Sequence, residues 1–118
     1  MPREDELAQT HVTLAGRSVG VWHIKDLDAF LARLLESHPH IPDDDIPYYA
    51  WIWPSALVLA ECLLQGPPLS GVRAVELGCG TGLVGVCAAL HGAQVTLTDL
   101  QQGALTLAAR NAQGMGVT

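Results

Sequence analysis

Gly78, Gly80 and Gly82 stand at alternate positions just after one carboxylate, Glu76. A second carboxylate, Asp99, closes the apolar run that comes next. The two runs are VELGCGTGLVGV (Val75 to Val86) and TLTDL (Thr96 to Leu100). Glycines lack a Cβ, so such a loop turns sharply and lets a ligand lie against bare backbone. A carboxylate at a strand end only accepts hydrogen bonds, which suits a ribose diol with two donors. Around these residues the pattern is an apolar run (Val72 to Leu77), a glycine-dense turn, a small-residue helix and a second apolar run (Gln94 to Thr98). Strand, tight loop, helix, strand and acid make one βαβ unit built to hold an adenosine-type cofactor.

Two cofactor classes fit that unit. Gly80, Gly82 and Gly85 satisfy the dinucleotide spacing G-x-G-x-x-G, a weak signal alone because glycine-rich runs are common. The fuller pattern is acid-x-Gly-x-Gly-x-Gly, with Glu76 two residues before Gly78. A dinucleotide loop seats a pyrophosphate at a helix N-terminus, where a nearby acid is unfavourable. S-adenosylmethionine carries no phosphate. Its sulfonium and ammonium favour the acid, so it is the preferred reading. A purely structural strand-to-helix turn is the third reading.

The elements that must position these residues follow from periodicity. Residues 1 to 10 read as a mobile polar tail, and His11 to Leu14 with Ser18 to Ile24 as a hairpin around Ala15, Gly16 and Arg17. Leu27, Phe30, Leu31, Leu34 and Leu35 make one helical stripe, with Asp26 as N-cap and His38-Pro39-His40 as the stop. Pro54 fits the first turn of a helix, and Ser55 to Leu64 is apolar nearly all round, which predicts a buried helix. Before it lie four of the six aromatic residues: Tyr48, Tyr49, Trp51 and Trp53. They read equally as core packing or as a wall that attracts a cationic ligand. Leu83, Val86, Cys87 and Leu90 form the inner face of the next helix, which Gly92 ends. Leu100, Ala104, Leu107 and Ala108 form a further stripe, with Arg110 near its end to suit the helix dipole. Asn111, Gly114 and Gly116 mark a turn, and Val117 with Thr118 reads as the start of another strand.

The totals narrow the class. A chain of 118 residues, 49% hydrophobic and 15% charged, is a small globular α/β domain rather than a disordered one. A net charge of −6 argues against nucleic-acid binding. Cys62, Cys79 and Cys87 are odd in number and lack metal-type spacing, so they read as reduced core thiols of a cytoplasmic protein. The charged start MPREDELAQT is not a signal peptide, and no apolar run is long enough for a membrane span. His38 and His40, and Asp43 to Asp45, read as solvated loops rather than metal sites.

ELGCGTG with the later TLTDL resembles motif I and the acidic ribose motif of class I, seven-β-strand methyltransferases. PYYAWIWPSALVLAECLL (Pro47 to Leu64) resembles the stretch before motif I in the lysine-methyltransferase-like branch, which includes the electron-transfer-flavoprotein lysine methyltransferase. The matches cover roughly Pro47 to Gly114. The resemblance implies a Rossmann-like fold, S-adenosyl-L-methionine as cofactor and a protein lysine side chain as acceptor. By it, Glu76, Gly78, Gly80 and Gly82 line the methionine end, Asp99 takes the ribose hydroxyls and Trp53 sits beside the cofactor.

The family's sheet has seven strands, of which two core strands are legible here, with the adenine and acceptor motifs unmatched. The expected organisation is therefore residues 1–46 as tail, hairpin and helix, and 47–118 as the N-terminal half of a cofactor-binding methyltransferase domain. Self-association through an open sheet edge is a further expectation. His23 and His91 read as structural or exposed, and no catalytic residue is assigned. A small-molecule methyltransferase, a dinucleotide-binding module and a non-catalytic fragment are the alternatives.

Overall fold

A computed structural model describes residues 1–117. It is an α/β arrangement of two small sheets and four helices. Strands β1 (Leu7–Leu14) and β2 (Arg17–Ile24) pair antiparallel from Leu7↔Ile24 to Leu14↔Arg17. The turn is two residues, not three. Ala15 (φ 50°) and Gly16 (φ 76°) both adopt left-handed backbone, which matches the twist of a tight hairpin. Ala15 N–H donates to Glu61 Oε1 at 3.0 Å, tying the turn to a helix.

The expected polar tail is ordered structure instead. Glu4–Glu6 form a 3-10 turn and Leu7 begins β1. Two ion pairs hold it: Glu6 with Arg33 at 2.6 Å and Glu4 with Arg110 at 2.7 Å. Charge pairing across 27 and 106 residues leaves no local periodicity to read.

Helix α1 (Leu27–Ser37) starts where expected, with Asp26 accepting from Ala29 N–H at 3.0 Å. Phe30 is its buried anchor, packed with Ile24 and Ala50, whereas Leu35 is exposed. Helix α2 (Pro54–Gln65) carries Pro54 in its first turn. It is not buried all round: Ala60 packs with Leu14, Val19, Val21, Leu83 and Cys87, while Val58, Leu59 and Cys62 are exposed. Cys62 is therefore not a core thiol. Cys79 and Cys87 are buried.

Strands β3 (Arg73–Glu76) and β4 (Gln94–Leu97) pair parallel, Arg73↔Gln94 to Glu76↔Leu97, with α3 (Leu83–Leu90) crossing between them. Ala74, Glu76, Val95 and Leu97 are half-buried, while Arg73, Val75, Gln94 and Thr96 are exposed. Helix α4 (Gln102–Gly114) buries Ala104, Leu107 and Ala108 as its stripe predicts. Leu100 precedes the helix and is exposed. Arg110 lies before the last turn, where it pairs with Glu4 instead of the helix end. Asn111 is buried inside α4 rather than in a turn. Val117 is not in a strand, and Thr118 lies outside the described residues.

Candidate cofactor cleft

At the carboxyl ends of β3 and β4 lies a cleft of about 760 Å³, the place where open α/β sheets hold ligands. Its floor is the glycine loop. Gly78 (φ 65°) and Gly80 (φ 56°) take left-handed backbone, and a Cβ on Gly78 would point into open space. The bare face of that residue is accessible to a ligand.

Backbone hydrogen bonds fix the loop to the strand ends. Cys79 N–H donates to the Thr98 carbonyl at 2.9 Å, and Thr98 N–H donates to the Glu76 carbonyl at 3.0 Å. Asp99 Oδ2 accepts from Gly80 N–H at 3.0 Å, and Asp99 Oδ1 accepts from Gln101 N–H at 2.9 Å. Each carboxylate oxygen keeps a lone pair for a hydroxyl donor. Glu76 Oε1 accepts from Gly85 N–H, in the first turn of α3, at 3.0 Å. Burial raises the Glu76 carboxyl above its ordinary value, opposed by that hydrogen bond. Burial also pushes the Cys79 thiol up to about 11, with the Asp99 and Glu76 charges adding. At neutral pH Cys79 is a protonated thiol and no nucleophile.

The aromatic segment divides between its two readings. Tyr49 does both: buried, it packs with Ala104 and Leu107 under Gly80, burial raises its hydroxyl, and it also borders the cleft. Tyr48 and Trp53 are exposed and line the cleft wall. Trp53 Nε1–H donates to the Tyr48 carbonyl at 3.0 Å, and its ring tilts against Trp51, with centroids 5.5 Å apart. Trp51 does not line the cleft.

Of the six residues picked from the sequence, Trp53, Glu76, Gly78, Gly80 and Asp99 meet in this cleft. Gly82 lies outside its lining. It has φ 81°, and a Cβ there would stand 2.8 Å from Ala108 Cβ, so its place depends on helix packing. Gly85, third in the dinucleotide spacing, packs within α3 against Leu97 and Val95.

Sequence reasoning missed two supporting residues, Gln101 and Asn111. Gln101 closes an Asx turn on Asp99, legible in principle because it lies two residues after an aspartate. Its side chain also donates to the Asp44 carbonyl at 2.9 Å, which holds the acidic loop at the rim. Asn111, read from the sequence as a turn residue, donates from Nδ2 to the Thr81 carbonyl of the loop at 2.7 Å, a contact across 30 residues that no local pattern signals.

The lining contains Asp44, Glu76 and Asp99 and, among the described residues, no lysine, arginine or histidine. That set of carboxylates suits a cationic ligand without phosphate, and the residues present fit S-adenosylmethionine. Among the described residues, no group of three or more metal-type side chains is placed to hold a metal ion. No described helix is long and apolar enough to cross a membrane.

Comparison with known proteins agrees with this chemistry. The lysine methyltransferase family model matches residues 47–115, and the chain belongs to that family. Its fold is accordingly the first βαβ unit of a Rossmann-like methyltransferase, preceded by a hairpin and helices. Among its relatives is mouse protein N-lysine methyltransferase METTL21A, 59% identical over 51 residues, or 42% of this chain and 23% of the relative. Mouse EEF1A lysine methyltransferase 3 is 46% identical over 52 residues, 43% of this chain and 22% of the relative. Rat histone-arginine methyltransferase METTL23 is 42% identical over 55 residues, 46% of this chain and 24% of the relative. The matched segment thus spans less than a quarter of these relatives' lengths.

Proposed function

We propose that this chain carries the S-adenosylmethionine-binding part of a protein-lysine N-methyltransferase. One observation supports it above the others: Asp99 and Glu76 flank an open glycine backbone in a cleft whose lining, among the described residues, includes no cationic side chain. Asp99 takes the ribose hydroxyls, Glu76 with the backbone of Gly78 and Gly80 receives the methionine end, and Gly82 holds the loop's exit into α3. Trp53 presents its ring beside the sulfonium, where an aromatic face attracts a cation. The named activities of METTL21A and EEF1A lysine methyltransferase 3 support a lysine acceptor on a protein.

When bound, the cofactor supplies a methyl group on a positively charged sulfur. The protein's contribution is positional, because holding nucleophile and methyl in line is worth up to ~7–11 kcal/mol. A lysine acceptor must arrive as a neutral amine.

Isothermal titration of S-adenosylhomocysteine and of NADH into the chain, with its solution mass measured alongside, tests the reading. Micromolar binding of S-adenosylhomocysteine alone is expected. Equal NADH binding would assign the loop to dinucleotides, and a folded chain that binds neither would sink the proposal.

A further inference from the structure

The side-chain amide of Asn111 joins three elements at one buried point. Asn111 is 2% exposed, on α4. Its Oδ1 accepts from Trp22 N–H in β2 at 2.6 Å, and its Nδ2 donates to the Trp22 carbonyl at 3.1 Å. The same Nδ2 donates to the carbonyl of Thr81, in the glycine loop, at 2.7 Å. Toward β2 the amide pairs as a neighbouring strand would. Toward the loop it holds the one residue between Gly80 and Gly82, both in left-handed backbone. A loop built of glycines costs little to distort, so its shape depends on outside anchors. Cys79 and Gly80 are anchored to the strand side, by Thr98 and Asp99. Asn111 anchors the helix side.

We propose that Asn111 is a positioning residue for the cofactor cleft, one that locks the glycine loop to the N-terminal hairpin. The hairpin then becomes part of the site's support although it lines none of the cleft. The effect on cofactor affinity rests on the proposed function. The mechanical coupling does not.

A neighbouring tie provides the control. The Arg110 guanidinium lies 3.8 Å from the Trp22 ring centroid and pairs with Glu4. It holds the same strand to the same helix without reaching the loop. Asn111→Asp keeps the shape and the acceptor for Trp22 N–H, but turns a carboxylate oxygen toward the Trp22 and Thr81 carbonyls, leaving them without a donor.

Amide hydrogen exchange of the full chain, for wild type, Asn111→Asp and Arg110→Met, reads the coupling. The amides of Gly80, Gly82 and Gly85 should exchange about ten-fold faster in Asn111→Asp than the general change in stability explains. In Arg110→Met they should follow stability alone. Unchanged loop exchange in Asn111→Asp would overturn the proposal, as would equal acceleration in Arg110→Met at matched stability. If Asn111→Asp does not fold, the side-chain amide of wild-type Asn111 decides by NMR. Protection equal to the loop amides is expected, and exchange at the free-asparagine rate would overturn it. A folded wild type that binds no S-adenosylhomocysteine would defeat the functional reading while leaving the exchange comparison intact.

Discussion

The two sheets are covered to different degrees. In the β1–β2 hairpin, Leu14, Val19 and Val21 are buried on one face in a core shared with α2 and α3, and Ile24 on the other with Phe30, while Gln9, Thr10 and His11 are exposed. An antiparallel pair needs only one covered face, and this hairpin packs apolar residues on both. The β3–β4 pair is parallel, and parallel strands ordinarily carry apolar residues on two covered faces. Here one face meets α3, while Val75 is 64% exposed and Leu77, at the strand end, 82%. The hairpin end is thus held by burial. The cleft end is held by backbone hydrogen bonds to Glu76, Thr98, Asp99 and Asn111.

The sharpest way to break this contrast is a pair of truncations. Phe30→Ala, in the closed core, should cost about 3–5 kcal/mol in denaturant unfolding. Val75→Ala should stay within about 0.5 kcal/mol. Comparable losses would show that the outer sheet face is packed in solution.

Within the βαβ unit, Gly85→Ala should destabilise by about 1–3 kcal/mol, because the added methyl would meet Leu97 Cδ2 and stand 2.9 Å from Glu76 Oε1. A thermal or denaturant midpoint at the wild-type value would mean that α3 can slide on the sheet.

Removing the acid from the cleft affects binding. Asp99→Ala should weaken S-adenosylhomocysteine by about 1–3 kcal/mol through lost charged hydrogen bonds. Unchanged affinity by calorimetry would remove Asp99 from the site. Trp53→Leu should act on charge: it weakens S-adenosylmethionine by about 0.5–1 kcal/mol more than the neutral-sulfur product. Equal effects on both ligands would leave Trp53 as an apolar wall only.

The smallest effect is an opposite pH response of the two ends. Arg33 hydrogen-bonded to Glu6, and Arg110 to Glu4, hold those carboxyls below the ordinary 4.5. Their stabilisation is present above 4.5 and is lost as pH falls through the lowered values. Burial raises Glu76 above 4.5, so its contribution is full below 4.5 and is lost as pH rises through the raised value. Glu6→Gln should therefore narrow its stability deficit toward acid pH, while Glu76→Gln should gain on wild type toward neutral pH. Parallel curves for the two variants would refute the assignment.

Much of the cleft was legible because its chemistry is local. Glu76, Gly78, Gly80 and Asp99 sit on one strand–loop–helix–strand segment, where spacing alone brings them to the same strand ends. The Asp26 cap, the Pro54 start and the stripe of α4 were legible for the same reason: each is a pattern of residue types within about a turn of helix. The misreadings share the opposite cause. The first ten residues looked like a tail because their partners, Arg33 and Arg110, lie far along the chain. Asn111 looked like a turn residue because its partners, Trp22 and Thr81, are 89 and 30 positions away. Ser55 to Leu64 looked buried because composition reports how apolar a helix is, not how many neighbours reach it.

By itself the sequence determined the βαβ unit and the convergence of the acids and glycines at its strand ends. Backbone periodicity, glycine freedom and carboxylate charge act over a few residues and need no knowledge of the rest. Only the tertiary structure decided that Tyr49 is buried beneath the cleft, that Trp53 lines it and Trp51 does not, that Gly82 answers to helix packing, and that the N-terminal hairpin is tied to the glycine loop through Asn111. Those assignments depend on which distant surfaces meet. Burial and long-range hydrogen bonds are set by that meeting, whereas residue type sets only what each surface can do when it arrives.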